Sequence, residues 1–285
     1  MKTVEKNNKD KLYSLSLVCK CYNLKRDSYY KFIKRYQAKT EVKNQVVSLV
    51  KERRKELPRE GCRKLYRALC SEFDDRGLKI GRDSLFNILR EYQMLVSRKK
   101  TSSRTTNSYH HFHKYNNLIQ GVDIIRVNQV WVSDITYIRT INGFCYLALI
   151  TDLYSRKIIA YDVSDTLELT GSLRALHKAL RRTPNIEGLI HHSDRGVQYC
   201  SHPYTKELLT RNIGISMTEE NHCYENAVAE RVNGILKDEF YLDQTFFNVK
   251  HAQDAVKNAI SLYNQRRLHL SLNYKTPNMV YNEIA

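Results

Sequence analysis

The chain has 285 residues, 42% of them hydrophobic and 27% charged, with a formal net charge of +17 at pH 7. That length suits one large domain with smaller ones, and the lack of an apolar run of about 18 residues excludes a transmembrane helix. The N-terminus has no apolar core, so we expect no signal peptide. Seven scattered cysteines without C-x-x-C pairs favour a reducing cytoplasm over disulfides or a zinc site.

The positive charge is concentrated in the first part of the chain. Residues 1–115 hold 29 Lys and Arg against 12 Asp and Glu, whereas residues 116–285 hold 18 of each class. A basic N-terminal part followed by a neutral C-terminal part indicates that the first binds a polyanion and the second has another task. A merely solvated surface is the simpler explanation, but so uneven a distribution favours nucleic acid.

The first 40 residues are predicted to form a helix-turn-helix-like segment. Residues 12–37 contain two stretches of helical apolar spacing, with a turn at Asn23. Helix, tight turn and basic helix together form the outline of a helix-turn-helix, although many small helical hairpins share it. Arg26 and Lys31 are the candidate DNA contacts of this segment.

Residues 41–97 are predicted to form a second helical DNA-binding domain, with a break at Gly77. Its apolar stripes are assigned to a core, which leaves cations such as Arg63 and Lys64 for DNA. Residues 98–115 lack periodicity and are rich in Ser, Thr and basic residues, so we interpret them as a basic linker. The linker contains three histidines, His110, His111 and His113. Without a second ligand cluster, they favour a solvated or DNA-facing tract over a metal site.

From residue 129 the pattern changes to strands. A β-rich run over 129–138 is followed by Asn142-Gly143, the strongest short hairpin signal. A second apolar strand and a third near 157–161 come next, after which helices and strands alternate. Three consecutive strands followed by this alternation predict an α/β fold with a mixed sheet.

Three acids are candidates for the chemistry of this core. Asp134 lies within the first strand run, Asp194 directly follows an apolar strand, and Glu230 lies in a helical segment. A charge in a buried strand is costly unless it is paired or bound to metal, and carboxylates are ligands that Mg²⁺ and Mn²⁺ prefer. Two such ions about 4 Å apart can activate a hydroxyl and stabilise the leaving oxygen in phosphodiester chemistry. The sequence thus predicts a carboxylate metal site that acts on DNA.

The helix of Glu230 also carries Asn233 and Lys237, three and seven residues further on, so all three share one face. A carboxylate, an amide and an ammonium on one face suit a metal site beside DNA phosphate, although an ordinary surface face has the same spacing. Glu225 is a rival third acid, but on a helix it points about 140° away from Glu230. Asp152, at the end of a strand, is more consistent with organising a turn.

Residues 242–285 are predicted to form a helical extension that packs on the core, which we assign to residues 116–241. Apolar residues at helical spacing over 249–263 indicate an amphipathic helix. We expect this part both to pack on the sheet and to contact DNA, with Arg266 and Arg267 on the phosphate side.

Four motifs resemble those of bacterial insertion-sequence transposases of the retroviral-integrase-like superfamily. They are WVSDITYI (131–138), HSDRGVQY (192–199), YENAVAERVNGILKDE (224–239), and YNQRRLHLSL (263–272) followed by Thr276-Pro277. The chain looks most like the group whose catalytic part is encoded by the second of two overlapping frames. The resemblance covers nearly the whole chain and is strongest from 125 to 277.

The resemblance implies a ribonuclease-H-like core preceded by a small all-helical DNA-binding region. It implies that Asp134, Asp194 and Glu230 are the catalytic, metal-binding triad, that the cofactor is Mg²⁺ or Mn²⁺ as two ions, and that Lys237 contacts the transposon end. Further DNA contacts are expected within the same motifs, at Asn233, Arg195 and Gln198.

We therefore expect a DDE transposase that cleaves DNA at insertion-sequence ends and transfers the 3′-hydroxyl into target DNA. The expected partners are duplex DNA with terminal inverted repeats, target DNA, further copies of the chain and an upstream-frame DNA-binding protein. We expect the protein to lie in the bacterial cytoplasm, associated with the nucleoid and not with a membrane. The alternatives are a catalytically inactive DNA-binding regulator or inhibitor derived from a transposase, and a ribonuclease-H-like nuclease acting on RNA–DNA hybrids. The chain acts either alone or fused to an upstream segment.

Overall fold

The structure is a computed structural model that describes residues 13–97, 111–219 and 226–284. Its contacts divide the chain into two compact units: the residues up to Lys55 together with Leu65–Leu95, and Glu56–Lys64 together with the residues from Val96 onward. Three predicted features lie outside the described residues: the start of the first helical segment, most of the linker with His110, and Glu225. Among the helices that the structure describes, none combines the length and apolarity needed to cross a bilayer.

Helices make up the N-terminal part. They are α1 (Leu15–Cys21), α2 (Arg26–Glu56), α3 (Cys62–Asp75) and α4 (Arg82–Glu91). The Ser14 hydroxyl caps α1 by accepting a hydrogen bond from the Leu17 N–H at 3.3 Å. Asn23 adopts the left-handed conformation (φ 50°) in the turn, and Val18 of α1 then packs against Tyr29 of α2. The predicted order of helix, turn at Asn23 and helix is therefore present.

Helix α2 is longer than predicted. The sequence indicated separate helices on either side of residue 40, whereas α2 is one helix of 31 residues. The sequence prediction placed a boundary there because the stripe of apolar residues changes position. Such a change alters which face of the helix is buried, but it does not end the helix. No Gly or Pro interrupts the hydrogen-bond ladder there, and the Thr40 hydroxyl is accommodated by donating to the Tyr36 carbonyl at 2.9 Å.

The second unit contains a five-stranded mixed sheet in the order β3-β2-β1-β4-β5. Its strands are β1 (Val130–Thr140), β2 (Gly143–Asp152), β3 (Ile158–Ser164), β4 (Ile190–Ser193) and β5 (Gly214–Met217). Strands β1, β2 and β3 pair antiparallel, whereas β1–β4 and β4–β5 pair parallel. The predicted Asn142-Gly143 hairpin joins β1 to β2, and Gly143 has a φ of 127° that favours glycine.

Helices cover both faces of this sheet. They are α5 (Leu169–Arg182), α6 (Val197–Cys200), α7 (His202–Leu209), α8 (Ala227–Glu239), α9 (Val249–Gln265) and α10 (Pro277–Ile284), with a 3₁₀ turn at Leu270–Leu272. One core joins Trp131 to Leu176 of α5 and Tyr204 of α7, and the other joins Leu147 to Leu236 of α8 and Val256 of α9. This arrangement is the ribonuclease-H-like fold, so the predicted fold class is confirmed.

Helix α5 approaches the end of β3 closely enough that one of its positions requires glycine. A Cβ added at Gly171 would overlap the Ser164 hydroxyl oxygen and lie 3.2 Å from Ser164 Cβ. That hydroxyl is held in place because it donates to Asp162 Oδ2 at 2.9 Å and accepts from Arg174 Nη2 at 2.8 Å. By contrast, a Cβ added at Gly234 of α8 would meet nothing within 4 Å.

Gly171→Ala should therefore lower the free energy of unfolding by about 1–3 kcal/mol, because Ser164 has to leave its hydrogen bonds or α5 has to shift. The matched variant Gly234→Ala should raise it by about 0.5–1 kcal/mol, since alanine favours the helix interior. Chemical denaturation of the two variants and the wild type measures both changes. Equal stabilisation by the two alanines would contradict the packing of α5 on β3.

Candidate active site

Asp134 lies in the middle of β1, the central strand of the sheet. Its neighbours Val130 and Val132 on the same strand pack against Ala229 of α8, and side chains two residues apart share a face, so Asp134 faces α8. Its Oδ1 accepts the Ile135 N–H at 2.9 Å, and its Oδ2 accepts from Asn233 Nδ2 of α8 at 2.7 Å. The side chain is half-buried.

Asp194 follows β4 directly, as the sequence predicts. Strand β4 runs parallel to β1 and ends with Ser193 paired to Ser133. Asp194 and Asp134 each follow one of these paired serines, so they lie at the same level of adjacent strands. Asp194 Oδ1 accepts the Gly196 N–H at 3.0 Å. A Cβ at Gly196 would also lie only 3.0 Å from that oxygen, so glycine leaves room for the turn around the carboxylate.

The charges of the other two predicted acids act on Asp134. The pKa of Asp134 is raised to about 7 by burial first and then by the charges of Asp194 and Glu230, against the hydrogen bonds from Asn233 and the Ile135 N–H. Like charges disfavour ionisation of a buried carboxyl. The structure thus brings the three acids close enough to perturb Asp134.

Glu230 lies in the first turn of α8 and is exposed. The other face of the helix is fixed to the sheet by buried apolar residues. Near its start the Asn226 Nδ2 donates to the Ser133 carbonyl at 3.2 Å, next to Asp134 in the chain. Asn226 was not singled out from the sequence, because asparagine before a helix is usually only a cap.

Asn233 and Lys237 lie on the face of α8 that is turned to Asp134. Asn233 is buried and bonds the carboxylate, while its own Oδ1 has no hydrogen-bond partner among the described residues. Burial lowers the pKa of Lys237, and the nearby Asp134 charge opposes that shift. An ammonium group therefore lies near Asp134, on the helix face that the spacing predicts.

The side chains at this site suit a hard divalent cation. Carboxylate oxygens, and amide oxygens such as Asn233 Oδ1, are the donors that Mg²⁺ and Mn²⁺ prefer. Burial, and then repulsion by Asp194, raise the pKa of Asp134, and a cation would offset both effects by favouring the charged carboxylate. As they stand, no three His, Cys, Asp or Glu side chains among the described residues form a ready ligand group. The acids therefore lie near one another but do not already have the geometry of a metal-coordinating group.

The rival acid Asp152 has a structural role. It is fully buried at the end of β2, where its Oδ2 accepts the Ser155 N–H at 2.7 Å and its Oδ1 accepts the Asn128 N–H at 2.8 Å. This confirms that it organises a turn. The histidines of the linker that are described, His111 and His113, are exposed and contact neighbouring aromatic rings.

The predicted DNA contacts fall into two groups. Some are at least partly accessible: Arg26, Lys31, Arg63, Arg195, Gln198 and Arg266. Within this group Lys31 pairs with Asp27, Arg266 pairs with Glu56, and Gln198 donates to the Leu167 carbonyl. The second group, Lys64 and Arg267, is buried and pairs with Glu239. That pairing favours a role inside the protein for these two cations.

Models of the integrase core domain match residues 125–223 and 211–277 of this chain. The 31 kDa protein of insertion element IS600 from Shigella sonnei is 37% identical over 215 residues, 74% of this chain and 78% of that protein. The transposase of insertion sequence element IS629 from Shigella sonnei is 31% identical over 218 residues, 76% of this chain and 72% of that protein.

A solved structure of the HTLV-2 integrase catalytic core domain in complex with magnesium is also similar. It is 18% identical in sequence, the match covers 55% of this chain and 98% of that chain, and the TM-score is 0.43.

The matched regions include the residues of the candidate site. Asp134 and Asp194 lie within 125–223, and Glu230 and Lys237 lie within 211–277. Two transposable-element proteins are related to the chain at more than 30% identity over most of their own length. The chain therefore belongs to the insertion-sequence DDE transposases of the integrase superfamily.

Proposed function

We propose that this protein cleaves DNA at the ends of an insertion sequence in a metal-dependent reaction and transfers the freed 3′-hydroxyl into target DNA. Membership of the transposase family supports the reaction class. The observation that carries the residue assignment is the placement of Asp134 and Asp194 at the same level of adjacent strands, where burial and then the charges of Asp194 and Glu230 raise the pKa of Asp134. A perturbed carboxyl such as that of Asp134 is typical of functional sites.

Asp134, Asp194 and Glu230 are the residues that would hold Mg²⁺ or Mn²⁺. The cation, as one or two ions, would neutralise charge on the attacking and leaving oxygens of the phosphodiester. Asn233 supports the site because its hydrogen bond to Asp134 Oδ2 fixes that carboxylate and favours its charged form. Lys237 supplies a positive charge beside the acids for a phosphate of the transposon end.

The accessible basic and polar side chains are proposed to bind the rest of the DNA. Arg26, Lys31 and Arg63 are assigned to duplex binding in the helical part, and Arg195 and Gln198 to contacts near Asp194, with Arg266 at the end of α9. Such contacts to phosphate are electrostatic and sensitive to salt. Two transposon ends have to be joined, so we propose that at least two copies of the chain act together on DNA. An upstream-frame DNA-binding protein is a further proposed partner.

Each of Asp134→Asn, Asp194→Asn and Glu230→Gln should lower the rate of strand cleavage at least about 100-fold, because each removes a ligand worth several kcal/mol of transition-state stabilisation. Binding to the same DNA should persist. The measurement is nicking of labelled duplex DNA that carries the element's terminal inverted repeat, with Mg²⁺ or Mn²⁺.

The matched control for this series is Glu187→Gln, an exposed acid in the same unit, which should cleave like the wild type. Full activity in any of the three site variants would remove that residue from the site. Wild-type protein that binds the ends yet does not cleave them would instead favour the inactive regulator, or a requirement for an upstream segment.

Metal binding should be detectable without DNA. Mn²⁺ should raise the unfolding temperature of the wild type, because a ligand that binds only the folded state stabilises it by RT ln(1 + [L]/Kd). Asp134→Asn should show a much smaller rise, since it removes one of the two neighbouring carboxylates. Thermal unfolding over a series of Mn²⁺ concentrations measures both, and an equal rise in the two proteins would argue against Asp134 as a ligand.

Lys237→Gln should weaken binding to transposon-end DNA and reduce the slope of log affinity against log salt by about 1, the contribution of one phosphate contact. Lys250→Gln serves as the comparison, because Lys250 is an exposed cation on α9 that pairs with Asp254. Binding titrations at several salt concentrations give the slopes. An unchanged slope in Lys237→Gln would mean that Lys237 does not meet phosphate.

A further inference from the structure

A buried ion cluster lies at the far end of helix α8 from Glu230. The Glu239 carboxylate receives both Arg267 Nε at 2.9 Å and Arg267 Nη2 at 2.6 Å, and Lys64 Nζ lies 2.9 Å from Oε2. The three side chains are 16%, 5% and 8% exposed, in the order Glu239, Arg267, Lys64. We call these three residues the Glu239 cluster.

The segment Glu56–Lys64 makes two more ion pairs beside this cluster. Arg59 Nη1 lies 2.9 Å from Asp238 Oδ1 of α8, and Arg266 Nε lies 3.0 Å from Glu56 Oε2. Nine residues of the N-terminal sequence are thus held against the end of α8 and the residues that follow α9. All of these contacts fall within the second unit.

The Glu239 cluster contains more positive than negative charge. Although burial raises the pKa of Glu239, the hydrogen bonds and charges of Arg267 and Lys64 lower it to about 2. Burial lowers the pKa of Lys64, and the Arg267 charge lowers it further. His269 lies in the same surroundings, where burial and both cations lower its pKa to about 2. Glu239 therefore pairs with two cations, and the charge of the buried Glu60 also acts on Lys64, whose pKa it raises.

The Glu239 cluster lies at the C-terminal end of α8, the helix that carries the proposed third acid, Glu230. Glu239 is nine residues after Glu230, about 13 Å along the helix axis, and Lys237 lies between them. At the start of α8, Asn226 and apolar packing hold the helix to β1. At its end, Asp238 and Glu239 are the charged anchors, and cations near a helix C-terminus also interact favourably with its dipole.

We infer that Glu239 is a positioning residue. Together with the segment Glu56–Lys64, it holds α8 in place on the second unit. Glu230 and Lys237 thereby stay aligned with the aspartates on β1 and β4. This inference depends on the proposed function of those residues. It reassigns Lys64 and Arg267 from phosphate contacts to internal partners of Glu239. A protein that lacks Glu56–Lys64 would retain the three acids and lose the alignment of the third.

Lys64→Met is the most informative variant. Arg267 still pairs with Glu239, but the buried Glu60 carboxylate loses the nearby Lys64 charge, so the unfolding temperature should fall. Cleavage at saturating transposon-end DNA should fall about tenfold, which corresponds to a modest misalignment. The dissociation constant for that DNA and its salt slope should stay unchanged. Lys64→Arg, which keeps the charge and the donors, should restore cleavage.

Arg63→Met provides the matched contrast, because Arg63 is the exposed neighbour assigned to DNA. It should weaken DNA binding and lower the salt slope by about 1. If Lys64→Met instead weakens binding with the same loss of slope, Lys64 is a phosphate contact and the inference is wrong. Wild-type cleavage and binding in Lys64→Met would also overturn it.

Two further measurements keep the test independent of folding and of cleavage. If Lys64→Met does not fold, Arg59→Gln replaces it as the test. This variant breaks the ion pair with Asp238, whose side chain is 44% exposed, and should also reduce cleavage. Unchanged cleavage in Arg59→Gln would overturn the inference. If the wild type does not cleave, the proposed function fails, but hydrogen exchange still tests the anchoring. The last amides of α8 should then exchange about tenfold faster in Lys64→Met than in Lys64→Arg, and equal exchange would refute it.

Discussion

Two carboxylates of like charge, Asp134 and Asp194, lie at the same level of adjacent parallel strands in a partly buried part of the sheet. Their repulsion opposes folding unless hydrogen bonds or a cation offset it. Much of the surrounding structure provides that offset. Asn233 and two backbone N–H groups donate to the pair, and Gly196 leaves space for the second acid. The fold thus maintains a local concentration of negative charge suited to a metal-dependent reaction.

Helix α8 links this negative region to a positive one. Glu230 occupies its first turn and Lys237 its last, in the order that the helix dipole favours, and Glu239 at its end receives two buried cations. The apolar face between them fixes the rotation of the helix on the sheet. Charge and packing therefore favour the same position of α8 on the sheet. A site whose side chains come from separate elements requires such fixed positions.

Local patterns predicted the parts of the fold that depend on local structure. Periodicity and the Asn142-Gly143 turn located the strands of the sheet, and helical spacing predicted that Asn233 and Lys237 face the acids. The continuity of α2 was missed because a change of apolar face resembles a break in sequence. The burial of Lys64 and Arg267 was missed because their partner, Glu239, is distant in the chain. Charge alone does not distinguish a buried cation from one that meets DNA.

The length of α2 has a consequence for dividing this protein into parts. A chain cut near residue 40 would end in the middle of an α-helix and leave the carbonyl groups of its last turn without their intrahelical donors. The apolar contacts around Tyr29 lie before that point, whereas the fully buried valines Val46 and Val50 lie after it. The helix-turn-helix-like segment is therefore continuous with the next helical stretch, and a cut between the two would divide a single helix.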